Sequence, residues 1–175
     1  MPAPTATSLD KKAATTNKEG VIGDSLRFDA FADFISDRLD RRLLIADVAS
    51  GKGLLREAMR RRGYKTVDSF DKRNGKSGLF HWDQAPGKYQ AIVGLHADQA
   101  TDHAVLFALK HRIPFLIVPC CIKPSATTYK PKSYHKWLEY LTCIGESGNM
   151  RVAQSHLSIR GCNIVLSGVP NVHHK

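Results

Sequence analysis

Four stretches of this chain place acidic, small or sulfur-containing residues at or just after an apolar run, where they could do chemistry. The longest is D-V-A-S-G-K-G at residues 47–53, which follows the apolar residues 43–46. Asp71 follows the second run, His96-Ala97-Asp98 the third, and the pair Cys120-Cys121 the fourth. Because the carboxyl ends of parallel strands meet at one edge of a sheet, these groups are predicted to form one site.

The stretch at 47–53 has the composition of a turn between a buried strand and a helix. The apolar run before it suits a strand covered on both faces, and the apolar positions within 54–59 give the next segment a helical face. Small residues permit close backbone approach and helix N-terminal amides favour negative groups, so this turn is predicted to hold a cofactor. An ordinary strand-to-helix turn is the alternative interpretation. The predicted cofactor ligands here are Asp47, Ala49, Ser50, Gly51 and Gly53.

The spacing of glycines and acids narrows the class of cofactor. The dinucleotide fingerprint needs three glycines, and only Gly51 and Gly53 are present, which disfavours a nicotinamide dinucleotide. A second acid-terminated stretch ends at Asp71, about 20 residues after the turn, where a doubly wound fold holds ribose hydroxyls. Asp71 is therefore the predicted ribose ligand, in preference to Asp68.

Length and composition predict one soluble domain. The 175 residues, 42% of them hydrophobic, suffice to bury a core without disulfides or metals. No apolar run approaches the ~20 residues that span a bilayer, so no membrane association is expected. Four cysteines without C-x-x-C spacing predict no metal site and a reducing compartment. We expect the protein to be located in the cytoplasm, with mitochondria or another intracellular compartment as alternatives.

The chain is predicted to consist of three segments. Residues 1–20 are rich in Ala, Thr, Pro and Lys without hydrophobic periodicity, and are expected to be a disordered basic arm. Residues 21–170 form a single α/β domain that starts with a helix, alternates strands with helices, and ends in a hairpin turning at Arg160-Gly161. Residues 171–175 are a tail.

Two further motifs point to a known family. The turn D-V-A-S-G-K-G resembles the first motif of class I S-adenosylmethionine (SAM)-dependent methyltransferases. L-H-A-D-Q-A-T-D at 95–102 and V-P-C-C at 118–121 resemble the L-H-A-C-G-x-A-T-D and P-C-C signatures of one methyltransferase group. That group includes the tRNA acceptor-stem ribose 2′-O-methyltransferases and the methyltransferase-like 25 proteins. The resemblance covers roughly residues 43–123, and this chain has Asp98-Gln99 where the group has Cys-Gly.

The resemblance implies a fold and a cofactor. The fold would be a Rossmann-like methyltransferase domain with about seven strands, mostly parallel, and an antiparallel edge hairpin. The cofactor would be SAM, with His96 among its contacts. Methyltransferases of this class usually have an acid near the adenine amino group and an apolar side chain on the ring, which implies Asp83 with Trp82 or Phe80. A polar turn after a short edge strand is the alternative interpretation of that region.

Charge favours an RNA partner such as tRNA or rRNA. Lys and Arg exceed Asp and Glu by 26 to 16, for a net charge of +10. In the lysine-rich loop at 122–132 and the short helix that Ser133 is predicted to cap, lysines interleave with Tyr129, Tyr134 and Trp137. A merely solvated basic surface is the alternative, and Trp137 fits core packing better than base stacking. The predicted RNA-binding residues are Arg61, Lys72, Arg73, Lys123, Lys130, Lys132 and Lys136.

The predicted acceptor follows by elimination. Exocyclic amine methylation in this fold usually uses [DNS]-P-P-[YFW] after the fourth strand, which residues 94–98 lack, so a ribose hydroxyl or a pyrimidine carbon remains. A carbon acceptor needs a cysteine nucleophile, Cys120 or Cys121, although this pair could simply pack at a strand end. A ribose hydroxyl, which the resemblance favours, would use His96 as base, with Asp98 second. A catalytically silent RNA-binding scaffold and a methyltransferase acting on protein or small molecules are the rival hypotheses.

Overall fold

The computed structural model describes residues 26–73 and 80–171. The predicted arm at 1–20 and all of the predicted tail except Asn171 lie outside the described residues. In the described part, no helix is long and apolar enough to cross a membrane.

Six strands form one mixed sheet in the order β2-β1-β3-β4-β6-β5. The first four are parallel, whereas β6 runs antiparallel to both β4 and β5. The strands are β1 Ile45–Val48, β2 Val67–Phe70, β3 Ala91–Leu95, β4 Phe115–Val118, β5 Met150–His156 and β6 Ile164–Pro170. The predicted α/β fold with an antiparallel edge hairpin is confirmed, with six strands where about seven were expected. Residues 80–90 contain turns instead of an edge strand.

Among the described residues, four α-helices cover the two faces of the sheet: α1 Leu26–Ser36, α2 Leu54–Arg61, α3 Thr101–His111 and α4 Tyr134–Ser147. The connections from β1 to β2 and from β3 to β4 lead in opposite directions along the sheet. Because such crossovers are right-handed, α2 and α3 lie on opposite faces. One apolar cluster accordingly contains α1 and α2, and the other contains α3 and α4.

Alternation along β1 decides where its acid points. Ile45 belongs to the α1–α2 cluster, whereas Ala46 and Val48 belong to the α3–α4 cluster. Successive side chains of a strand alternate between faces, so Asp47 shares the α1–α2 face with Ile45. Asp47 is only 1% exposed, which buries a carboxyl group directly beneath the turn that follows β1.

The last part of the described chain contains the predicted hairpin, preceded by the helix α4. The Ser133 hydroxyl accepts a hydrogen bond from the Lys136 amide at 3.2 Å, which caps a helix of 14 residues. Trp137 is fully buried among core residues and cannot offer a face to a base. Core packing is thus the correct interpretation of Trp137.

Candidate functional site

A cleft lies at the carboxyl ends of β1 to β4, where the crossovers from β1 and β3 diverge. It consists of two cavities with volumes of about 240 and 490 Å³, here called the Asp71 cavity and the Asp47 cavity. Both are lined by Ala49, Arg73 and His96. The structure therefore brings the four predicted groups of residues to one place.

Three small residues shape the turn after β1. Ala49, Gly51 and Gly53 all have left-handed backbone, with φ of 53°, 55° and 77°. Among the described residues, five non-glycine residues have positive φ, and Ala49, His96 and Asp98 are the three that line the cleft. Such backbone costs about 1–3 kcal/mol per residue and clusters at functional sites. Local strain is thus concentrated at this edge of the sheet.

Asp47 is a buried ionisable group in the cleft with a strongly raised pKa. Neither of its carboxylate oxygens has a hydrogen-bond partner among the described residues. Burial raises its pKa from 3.8 to about 8, and the charge of Arg56 offsets this rise only in part. The Ser69 hydroxyl also lowers the pKa, although it does not meet hydrogen-bond geometry with either carboxylate oxygen. An unsatisfied buried carboxyl group costs free energy that a cationic or hydrogen-bonding ligand would recover. The Asp47 cavity is therefore suited to a ligand with an amino group.

Asp71 is engaged within the Asp71 cavity. One carboxylate oxygen accepts a hydrogen bond from the Gly51 amide at 2.8 Å, which ties the end of β2 to the turn after β1. Arg73 donates to the same carboxylate from its backbone amide at 2.8 Å and its guanidinium at 3.1 Å. Burial alone would raise the pKa of Asp71, but the hydrogen bonds from Arg73 and Gly51 outweigh burial and lower the pKa.

Two residues that were not predicted as site residues complete the Asp47 cavity. Arg27 and Phe28, from the first turn of α1, line it opposite the glycine turn. The cavity thus holds a guanidinium and an acidic group together, which is complementary to the carboxylate and ammonium of an amino acid. Neither residue stands in a motif, and only the packing of α1 against α2 places them here.

The geometry around His96 fixes its protonation state. Its Nε2 lies 3.0 Å from the Cys162 carbonyl oxygen, which can only accept, so Nε2 carries the proton. Its Nδ1 lies 3.5 Å from a guanidinium nitrogen of Arg27. Burial lowers the pKa of His96 below 6.5, which keeps the ring neutral near pH 7. Nδ1 is therefore the unprotonated nitrogen, and its lone pair accepts the long hydrogen bond from Arg27.

The other predicted catalytic residues bind one another. The Cys121 thiol donates to Asp98 Oδ1 at 3.1 Å, and Lys123 Nζ lies 2.9 Å from the same oxygen. The two vicinal sulfurs are 3.4 Å apart. Burial raises the pKa of Cys121, and its hydrogen bond to Asp98 raises the pKa further, so the residue is a thiol at neutral pH. A protonated Cys121 is a poor nucleophile.

Asp102 connects the segment 95–102 to the loop that follows β4. Its buried carboxylate accepts hydrogen bonds from the backbone amides of Ser125 and Ala126, at 2.8 and 2.7 Å. The second motif, V-P-C-C, leads directly into this loop. Asp102 therefore holds in place the loop that begins at the vicinal cysteines, a role that the sequence analysis did not predict.

The three residues considered for the adenine position differ in placement. Phe80 is buried and lines the Asp71 cavity together with Phe70. Trp82 and Asp83 line neither cavity, and Asp83 is exposed. Trp82 instead packs against the α3–α4 cluster, because residues 81–85 form a turn that carries both side chains away from the cleft. Of these candidates, the structure places only Phe80 in the cleft.

The predicted RNA-binding residues separate into two groups. Lys72, Arg73 and Lys123 line the Asp71 cavity, and Lys130, Lys132 and Lys136 are exposed on the loop and helix that follow β4. Arg61 stands apart, because it lies in the last turn of α2 and lines neither cavity. It pairs with Asp29 at 2.9 Å and helps to join α2 to α1.

The described residues contain no group of three or more His, Cys, Asp or Glu side chains that could hold a metal ion.

Comparison with known proteins identifies the fold. No protein-family model matches the sequence, and no curated protein matches it. A precorrin-6y C5,15-methyltransferase from Geobacter metallireducens has a TM-score of 0.59 at 7% identity, covering 90% of this chain and 93% of its own. A methyltransferase from Pyrococcus furiosus has a TM-score of 0.59 at 10% identity, covering 90% and 88%. A SAM-bound amino pentose methyltransferase from Micromonospora echinaspora has a TM-score of 0.53 at 10% identity, covering 81% and 91%. The chain therefore has the Rossmann-like fold of the SAM-dependent methyltransferases.

Proposed function

We propose that the protein is a SAM-dependent methyltransferase that modifies RNA. The observation that carries the cofactor assignment is the buried, unpartnered carboxyl group of Asp47 beneath a left-handed glycine turn. Structures with this fold include methyltransferases for a precorrin and for an amino pentose, so the fold does not determine the acceptor. The acceptor has to be argued from the residues of this cleft.

The residues of the cleft fit SAM at both ends of that molecule. Asp47 and Arg27 would bind the ammonium and carboxylate of its amino-acid part, and the glycine turn permits close approach. Asp71 would bind the ribose hydroxyls, and Phe70 and Phe80 offer apolar surface for the adenine. When bound, SAM supplies an electrophilic methyl group.

An RNA acceptor is supported by charge at the mouth of the cleft. Lys72, Arg73 and Lys123 line the Asp71 cavity, and the exposed Lys130, Lys132 and Lys136 follow along the same edge of the sheet. Tyr129 lies among these lysines, 39% exposed, and stacks on Tyr140 with ring centroids 4.2 Å apart. Cationic side chains beside a partly exposed ring suit phosphates and unpaired bases.

The chemistry of the cleft favours a ribose hydroxyl over a pyrimidine carbon. A carbon acceptor needs a thiolate, whereas the thiol of Cys121 is protonated and donates to Asp98. A hydroxyl acceptor needs orientation and a base, and the Nδ1 of His96 can accept its proton because the Cys162 carbonyl fixes the tautomer. Asp98 is engaged by Lys123 and Cys121, so it is the weaker candidate for the base.

The decisive experiment incubates the purified chain with SAM carrying a labelled methyl group and with total RNA, protein and small-molecule fractions. We expect label in the RNA fraction and, after nuclease digestion, in 2′-O-methylated nucleosides. Transfer only to protein or small molecules would replace RNA as the acceptor. Binding of SAM and RNA without any transfer would identify the silent scaffold, and absence of SAM binding would contradict the proposed function altogether.

A further inference from the structure

Arg73 occupies acceptor positions on Asp71, the proposed ribose ligand. Together, Arg73 and Gly51 place four hydrogen bonds on Asp71, with distances from 2.8 to 3.3 Å. A carboxylate has about four lone-pair positions, so the acceptor capacity of Asp71 is used up. Ribose hydroxyls that donate to Asp71 would have to replace hydrogen bonds from Arg73.

The guanidinium of Arg73 also lies across the cleft. It lines both the Asp71 cavity and the Asp47 cavity, which an extended cofactor would span. Its Nη2 atom is 3.6 Å from the point where a Cβ on Gly51 would lie, which is ordinary van der Waals distance. The guanidinium of Arg73 therefore lies close against the glycine turn.

The guanidinium of Arg73 is open to solvent on its outer side. The side chain of Arg73 is 72% exposed, whereas Asp71 is 3% exposed, so the guanidinium can become hydrated while the carboxylate keeps its hydrogen bond from the Gly51 amide. The planar guanidinium binds phosphate with the same two-pronged geometry as carboxylate. Lys72 and Lys123, which line the same cavity, would attract a phosphate to this mouth of the cleft.

We infer that Arg73 competes with the cofactor for Asp71 and that an RNA phosphate releases it, so that RNA and SAM bind cooperatively. The inference rests on the proposed function, because it takes RNA as the source of the phosphate. Coupling of this kind is reciprocal: RNA strengthens SAM binding by the factor by which SAM strengthens RNA binding.

The first test measures SAM affinity by calorimetry without RNA, in the full chain. Arg73→Ala should bind SAM about 5- to 10-fold more tightly than the unaltered chain, at the lower end of typical coupling strengths. Arg73→Lys, which keeps the charge but loses the two-pronged contact, should lie between them. Arg151→Ala, at the opposite edge of the sheet, is the charge-matched control and should leave the affinity unchanged. Equal or weaker binding by a folded Arg73→Ala chain would overturn the competition.

The second test adds total tRNA as the probe. It should tighten SAM binding to the unaltered chain and leave the affinity of Arg73→Ala unchanged. If tRNA changes the SAM affinity of both chains equally, or of neither, the release of Arg73 by RNA is wrong although the proposed function stands. If no variant binds SAM, the proposed function fails together with this inference.

Discussion

The two halves of the cleft differ in how their polar groups are satisfied. Beneath the glycine turn, Asp47 is buried without a partner and with a raised pKa. On the opposite side, Asp98 binds Cys121 and Lys123, and His96 binds the Cys162 carbonyl. The first half is thus energetically incomplete without a ligand, whereas the second half is complete within the protein. The difference indicates that a bound cofactor would offset the cost of burying the Asp47 carboxyl group. The acceptor would meet side chains that the protein already holds in place.

The largest expected effect concerns His96, the proposed general base. His96→Ala should reduce methyl transfer by roughly 10²–10⁴-fold, because a general base contributes about that much. Cys120→Ser and Cys121→Ser should keep substantial activity. Because burial lowers the pKa of His96 below 6.5, activity of the unaltered chain should fall only as pH drops below that value. Single-turnover rates measured against pH check both statements.

The role of His96 would be refuted by full activity in a folded His96→Ala chain. A covalent RNA adduct trapped through either vicinal cysteine would instead show that the acceptor is a carbon.

The second prediction concerns the ribose contact. Asp71→Ala should weaken SAM binding by about 1.5–3 kcal/mol, since a hydrogen bond to a charged group is worth about that much. This variant also loses the tie to Gly51, so its fold has to be verified by circular dichroism and its melting temperature. Asp68→Ala, at a neighbouring acid that lines neither cavity, is the matched control. Unchanged SAM affinity in a folded Asp71→Ala chain would remove Asp71 from the site.

The third prediction tests whether the buried carboxyl group of Asp47 destabilises the folded chain when no ligand is bound. The pKa of Asp47 is raised from 3.8 to about 8, so between these values the folded chain binds more protons than the unfolded chain. The contribution of Asp47 to the free energy of unfolding therefore falls as pH rises from about 4 to about 8. Asp47→Asn should remove this contribution and stabilise the ligand-free chain by roughly 1–3 kcal/mol near pH 8, while weakening SAM binding. Denaturant unfolding at several pH values provides the measurement.

An Asp47→Asn chain that is less stable than the unaltered chain at pH 8 would show that the carboxyl group is satisfied in the absence of ligand. The polar groups of both halves of the cleft would then be satisfied within the protein.

The smallest expected effect lies outside the cleft. Replacing Lys130, Lys132 and Lys136 with Ala should flatten the salt dependence of RNA binding, because each phosphate contact contributes about 0.7–0.9 to the slope of the logarithmic plot. A control with the same loss of charge replaces Lys65, Lys110 and Arg151, which lie at the opposite edge of the sheet. Fluorescence anisotropy with total tRNA at several salt concentrations distinguishes the two triple variants. Equal salt-dependence slopes in the two triple variants would mean that RNA binding depends on total charge and not on the surface formed by Lys130, Lys132 and Lys136.

Much of the site could be predicted because its pieces are local in sequence. The strand, glycine turn and helix at 43–61 follow from composition, and the register of parallel strands places the ends of β1 to β4 at one edge. The predictions for Trp82 and Asp83 depended instead on the path of an irregular segment. Its turn at His81, closed by the backbone amides of Gln84 and Ala85, directs them away from the cleft. Hydrophobic periodicity carries no information about such a turn.

The sequence by itself determined the α/β class, the order of the elements, the glycine turn and the acids that end β1 and β2, because these depend on short-range patterns of apolar and small residues. Only the tertiary structure decided which groups meet. Arg27 and His96 are 69 residues apart, and His96 and Cys162 are 66 apart, yet their contacts set which nitrogen of the catalytic candidate carries the proton. The same holds for Asp102 and the loop at Ser125, 23 residues away. Such contacts depend on how helices and loops pack against the sheet, which no local pattern specifies.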